Sequence, residues 1–267
     1  MGSTLSGRVL IFAIASLAYS AGAMADFQTG MSAYLSGSYS RAYKEFKALA
    51  MEGNAAAQFR LGWMYNEGEG VPQDYLLALS WYNKAAEQGN VEAQFFLGEI
   101  YDKGHSVPQD YSLAASWYRK AAAQNSSIAQ QRLGVMYAFG LGLPQDDTQA
   151  VAWYRKAAEQ GNREAEFNLG SAYRLGKGVE PDYNEALFWY LKAAEQGHVK
   201  ALFNLGKMYS KGGGVQQDFV QALKWLVLAA SSGEEGAVNE LQIIELRMTP
   251  HEIEQARTQA QEWLERH

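Results

Sequence analysis

The sequence predicts an all-α fold, a solenoid of about seven antiparallel helix pairs, and three observations carry that reading. The pair Leu-Gly stands at 61/62, 97/98, 133/134, 169/170 and 205/206, and a tyrosine follows each at 65, 101, 137, 173 and 209. Tryptophan recurs with the same 36-residue step at 81, 117, 153, 189 and 225, and each is followed four residues on by Ala-Ala. Within a unit the apolar residues fall at helical rather than strand spacing. Two further ladders keep the step, Ala57 to Ala201 and Asp74 to Asp218. A period of this length marks a repeat array in which each unit completes the core of the next.

Taken from the start of the chain, the elements follow. Residues 1–25 read as a cleaved signal peptide: Arg8 precedes the apolar run from Val9 to Ala18, and Ala23-Met24-Ala25 offers small residues where a signal peptidase cuts. Cleavage is expected before Asp26. Residues 26–54 form an opening helix pair in which Ala42, Ala50, Gly53 and Asn54 keep the register, with a turn shortened between Tyr34 and Tyr39. Residues 55–234 hold five full units.

In each unit the first helix carries a stripe such as Ala57, Leu61, Met64 and Tyr65. The second starts from an aspartate N-cap such as Asp74 and turns Ala78, Trp81, Tyr82, Ala85 and Ala86 to one face, with Lys84 away from it. Glycine ends these second helices at 89, 161, 197 and 233, and Asn125 takes that place in the second unit. Residues 235–267 read as terminal capping helices, the last opening with Thr249 as N-cap and Pro250 at the first helical position and running to about Trp263.

Composition narrows the function. The 267 residues include 23 Lys and Arg against 29 Asp and Glu, a net charge of −6, so the basic surface that nucleic-acid binding needs is missing. With no cysteine, the chain has no disulfides, thiol catalysis, cysteine-bound zinc or lipidated cysteine. After residue 25 no segment is apolar enough to span a bilayer.

The unit Ala57-x3-Leu61-Gly62-x2-Tyr65, Gly68-x-Gly70-Val71-Pro72-Gln73-Asp74-Tyr75, Ala78-x2-Trp81-Tyr82-x2-Ala85-Ala86-x2-Gly89 resembles the Sel-one-like repeat (SLR) family, a branch of the tetratricopeptide superfamily. The resemblance covers residues 55–234 fully and the flanks in degenerate form. It implies a right-handed superhelix serving as a protein-binding scaffold, although fold alone does not assign function. Some secreted, cysteine-rich relatives are described as weak beta-lactamases. This chain has neither their cysteines nor a serine in a Ser-x-x-Lys context, so a hydrolase stands second to a scaffold. A scaffold for surface polysaccharide assembly differs from the first reading only in its client.

No cofactor, metal or catalytic constellation is read. The glycine-rich turns do not fit a P-loop: Gly176-Lys177 is followed by Gly178 where a hydroxyl is required. His105, His198, His251 and His267 share no register and read as solvated side chains.

The functional clue is where the repeats differ. Two positions before the repeat tyrosine the residues are Trp63, Glu99, Val135, Ser171 and Lys207, and one position after it they are Asn66, Asp102, Ala138, Arg174 and Ser210. Phe59, Phe95, Phe167 and Phe203, four residues upstream of the first set, extend the line. These positions lie off the packing stripe, on the helix that lines the inner curve in tetratricopeptide-like folds. The expected partner-binding set is Phe59, Trp63, Asn66, Phe95, Glu99, Asp102, Val135, Ser171, Arg174 and Lys207, with apolar and acidic residues first and basic ones later. The expected partner is another protein or a peptide segment in the bacterial envelope or outside the cell. Aromatic and arginine anchors carry much of the energy at interfaces, which singles out Trp63 and Arg174.

Overall fold

The computed structural model describes residue 24, residues 26–104 and residues 107–266. The expected leader, apart from Met24, and the residues His105 and His267 lie outside the described residues. Every regular element among the described residues is helical. The described residues form two compact units, divided between Ala121 and Ala122. The first holds α1 (residues 26–35), α2 (Tyr39–Met51), α3 (Ala55–Glu67), α4 (Tyr75–Glu87), α5 (Val91–Lys103) and α6 (Tyr111–Ala123), the last ending just past the boundary. The second holds α7 (Ser127–Phe139), α8 (Asp147–Ala158), α9 (Arg163–Leu175), α10 (Tyr183–Glu195), α11 (Val199–Lys211), α12 (Phe219–Ser231), α13 (Glu235–Glu245) and α14 (Pro250–Leu264). The helices α3 to α12 give one pair to each 36-residue repeat, as the spacing predicts.

Side chains start and stop these helices. Asn54, Asn90, Ser126, Asn162 and His198 cap α3, α5, α7, α9 and α11, each accepting from the amide of the repeat alanine three residues on. Asp74, Asp146 and Asp218 accept likewise from Leu77, Gln149 and Gln221 at 2.9 Å. In the turn between paired helices Gln73, Gln109, Gln145 and Gln217 donate to the backbone carbonyls of Asn66, Asp102, Ala138 and Ser210. The glutamine of the Val-Pro-Gln-Asp turn thereby satisfies a carbonyl left open at a helix end. Asn125, which stands in the glycine register, has φ of 67° and is the one non-glycine with positive φ among the described residues.

The first unit packs around Phe46, Leu61, Met64, Tyr82 and Leu97, and the second around Leu133, Leu169, Tyr190, Leu205 and Leu223. Four repeat tryptophans, Trp81, Trp117, Trp189 and Trp225, are buried, and Trp153 is half-buried. One expectation is corrected here. Lys84 is exposed but its ammonium lies 4.1 Å from the Trp81 ring centroid, and Lys120 and Lys156 sit over Trp117 and Trp153 at 3.8 and 4.2 Å. The aliphatic stem reaches back one turn, so the lysine covers the indole's outer face while its charge stays in water.

The end caps follow the sequence closely. Thr249 and Glu252 form a reciprocal capping box at the start of α14, with Pro250 inside the first turn. In α12 Leu228 occupies the lysine register and is buried, Trp225 meets Trp263 edge-on at 6.2 Å, and Gln221 donates to Gln259. No helix among the described residues is long and apolar enough to cross a membrane.

Candidate functional site

Within a pair the two helices touch where the first has its repeat glycine. A Cβ built on Gly62, Gly98, Gly134 or Gly170 would fall within 3 Å of the ring of Tyr82, Tyr118, Tyr154 or Tyr190, the residue after the repeat tryptophan. These tyrosines pack against the first helix, and the hydroxyls of Tyr118 and Tyr190 reach variable positions. The Tyr118 hydroxyl donates to Asp102 Oδ2 at 3.2 Å. The Tyr190 hydroxyl lies 3.0 Å from Ser171 Oγ and accepts from Arg174 Nε at 3.2 Å.

The candidate residues therefore divide by environment. Phe59 is corrected from a contact residue to a core one: it is 6% exposed, with its ring 5.6 Å from Tyr82 and 5.5 Å from Phe96. Trp63 is half-buried, packs edge-on against Phe96 at 5.2 Å, and donates its indole N–H to Tyr34 Oη at 3.0 Å. The Phe95 ring packs at a tilt against Tyr118, with centroids 5.7 Å apart. These positions carry packing because the aromatic rings fill the space beside the tyrosines, which periodicity alone does not reveal.

The polar candidates lie partly exposed. Asn66 donates to Glu67, and Glu99 pairs with Lys103 at 2.9 Å. In the second unit Val135 is half-buried, Ser171 and Arg174 hold Tyr190, and the Lys207 ammonium sits 5.1 Å from the centroid of the Phe203 ring.

Two clefts occupy the same register, one in each unit. The first, about 490 Å³, lies between α3, α4 and α5 and is lined by Asn66, Glu67, Tyr75, Tyr82, Phe96, Glu99 and Lys103 among others. The second, about 170 Å³, is its counterpart two repeats on, with Ala138, Phe139, Asp147, Tyr154, Asn168, Ser171 and Leu175 at the matching positions. The repeat thus recurs in the lining, and the variable residues place Asn66, Glu67 and Glu99 in one cleft where Ala138, Phe139 and Ser171 stand in the other. The clefts bring in Asn66, Glu99 and Ser171 from the candidate set.

Sequence reading missed three features. The hydroxyl of the buried Tyr82 has no hydrogen-bond partner among the described residues. A buried polar side chain recurs on the first helices. Gln58, Gln94 and Gln130 are buried and donate to the carbonyls of Ala50, Ala86 and Ala122. Glu166 replaces glutamine in the fourth repeat, where burial raises its carboxyl pKa despite a hydrogen bond from Gln196. Lastly, His198 is buried rather than solvated, a correction. It stacks on Phe167 at 4.4 Å, accepts from the Ala201 amide through Nδ1, and meets Glu164 through Nε2 at 3.2 Å. Burial holds its pKa below the usual imidazole value, outweighing Glu164. The signal for it was present, since 198 continues the cap register of Asn54, Asn90, Ser126 and Asn162.

Among the described residues there is no group of three or more His, Cys, Asp or Glu side chains able to hold a metal. The recurring glycine–tyrosine contacts and the two-helix period define a protein of the helix-pair repeat class. More narrowly, the family model for the Sel1 repeat matches residues 55–90, 91–126, 127–162, 163–198 and 199–234, and the chain belongs to that family.

Many solved structures share its fold, among them two at 34% identity or more. A protective antigen present in uropathogenic Escherichia coli strains, displaying an SLR fold, is 40% identical with a TM-score of 0.78 over 85% of this chain and 49% of its own. The present chain thus spans about half the length of that antigen. A Sel1 repeat protein from Oxalobacter formigenes is 34% identical with a TM-score of 0.77, over 90% of this chain and 95% of its own. Comparison with curated proteins gave no match.

Proposed function

We propose that the protein is a non-enzymatic scaffold that binds a segment of another protein on the variable face of its first helices, after export to the bacterial envelope or beyond. The observation that carries this reading is the division of labour within each repeat. The recurring Gly, Tyr, Trp and Ala residues seal the helix pairs, while the clefts beside them are lined by residues that change from Asn66 and Glu99 to Ala138 and Ser171. A fold that keeps its packing and varies its clefts is suited to reading one partner chain at several points.

The leader-like residues 1–25 support export, and so does the role of a 40% identical relative as a protective antigen. The test is recovery of a partner, identified by crosslinking in the native compartment, by wild type and by the charge reversals Glu99→Lys and Lys207→Glu. Loss of that partner with both reversals is expected. Equal recovery by all three proteins would remove the variable face as the binding surface.

A further inference from the structure

The cleft between α3, α4 and α5 combines features that select one ligand chemistry. Tyr82 lines it and is 1% exposed, yet its hydroxyl finds no partner among the described residues. A buried polar atom left unpaired destabilises the free protein, so its retention calls for an explanation. The repeat itself supplies the comparison. At the matching hydroxyl of Tyr190 the chain delivers its own guanidinium, with Arg174 Nε donating at 3.2 Å. Asn66 holds the Arg174 register in the first repeat, and its amide is turned to Glu67 Oε1 at 2.6 Å.

The surroundings favour a cation. Glu67 and Glu99 both line the cleft, against the single ammonium of Lys103, which Glu99 pairs with at 2.9 Å. Phe96 and Tyr82 give it aromatic walls, and planar guanidinium groups stack on such rings while donating to carboxylates in their own plane. The volume, about 490 Å³, exceeds what one long side chain fills and leaves room for its backbone to enter. The counterpart cleft has Phe139, Ser171 and Leu175 where Glu67, Glu99 and Lys103 stand here, and its charged residues are one carboxylate, Asp147, and one ammonium, Lys177.

We propose that this cleft receives the guanidinium of an arginine side chain from a partner protein, which hydrogen-bonds Tyr82 as Arg174 does Tyr190 and takes Glu67 and Glu99 as counter-charges. The proposal rests on the scaffold reading and names the partner chemistry of one of its clefts.

The test uses residues 26–267 titrated with N-acetyl-arginine amide, followed by the indole N–H resonance of Trp63, whose ring abuts Phe96. N-acetyl-lysine amide and N-acetyl-citrulline amide serve as comparators. Arginine should bind about tenfold more tightly than citrulline, which keeps the shape and loses the charge, and more tightly than lysine. Tyr82→Phe should weaken arginine binding about tenfold without lowering the unfolding midpoint, and Glu67→Gln should weaken it with the fold intact. Equal binding of the three probes, no binding of arginine, or unchanged affinity in both variants overturns the proposal. Partner recovery that still depends on Glu99 and Lys207 while the arginine probe fails would sink the guanidinium assignment alone and leave the scaffold reading standing.

Discussion

Gly134 sits against the face of Tyr154 so closely that a Cβ there would lie 2.6 Å from the ring and 3.2 Å from the Ala150 carbonyl oxygen. Both partners are fixed by helices, so neither relieves the contact without moving a backbone. Gly134→Val should lower stability by about 1–3 kcal/mol through overpacking. The measurement is a denaturant midpoint, and an unchanged value would refute the contact.

Two tyrosines of equal register should respond oppositely to loss of a hydroxyl. Tyr118 donates to Asp102, whereas the Tyr82 hydroxyl has no partner among the described residues. Tyr118→Phe should cost about 1 kcal/mol, and Tyr82→Phe should stabilise by about as much. Thermal unfolding of the pair of variants, read side by side, checks the difference in sign.

His198 makes stability depend on pH. Its Nδ1 accepts from the Ala201 amide, so protonation there removes the cap of α11. Because burial places its folded pKa below the ordinary 6.5, the unfolded chain binds the proton first on acidification. Stability is therefore unaffected by this group above 6.5 and falls as pH drops through that value toward the folded pKa. Glu166 acts with the opposite sign: its raised pKa weakens the fold as pH climbs above 4.5 toward the folded value. His198→Asn restores the residue that caps α3, α5 and α9, and its advantage over wild type should widen between pH 7 and pH 5 in parallel urea titrations.

The lysine–indole contacts contribute at the surface. Lys120 lies 3.8 Å from the Trp117 centroid, and replacing it by alanine should cost about 0.5–1 kcal/mol, with little dependence on salt. A loss that disappeared at high ionic strength would indicate long-range charge effects instead.

Much of the fold was legible because the repeat compares five copies of one physical problem within a single chain. Leu-Gly, the tryptophan ladder and the aspartate caps each mark a contact that must be made again every 36 residues. Even the exception at Asn125 was readable, since asparagine tolerates the left-handed backbone that glycine otherwise supplies. The candidate site was legible only in part.

Helical spacing places Phe59 and Trp63 off the Ala57–Leu61 stripe, but it says nothing of the tyrosine that the partner helix lays beside them. That ring converts Phe59 from a surface residue to a core one. His198 escaped for a related reason, because its burial comes from Phe167 in another helix rather than from its own neighbours in sequence. The orphaned hydroxyl of Tyr82 is visible only when repeats are compared in three dimensions.

The central claim is that the recurring residues hold the helix pairs and the variable first-helix face meets the partner. Site-specific photocrosslinking tests it most directly, with the reactive group placed in turn at Glu99 and Lys207 on first helices and at Glu87 and Lys156 on second helices. The account predicts that Glu99 and Lys207 join the same partner protein while Glu87 and Lys156 do not. Crosslinks to that partner confined to Glu87 and Lys156 would contradict it.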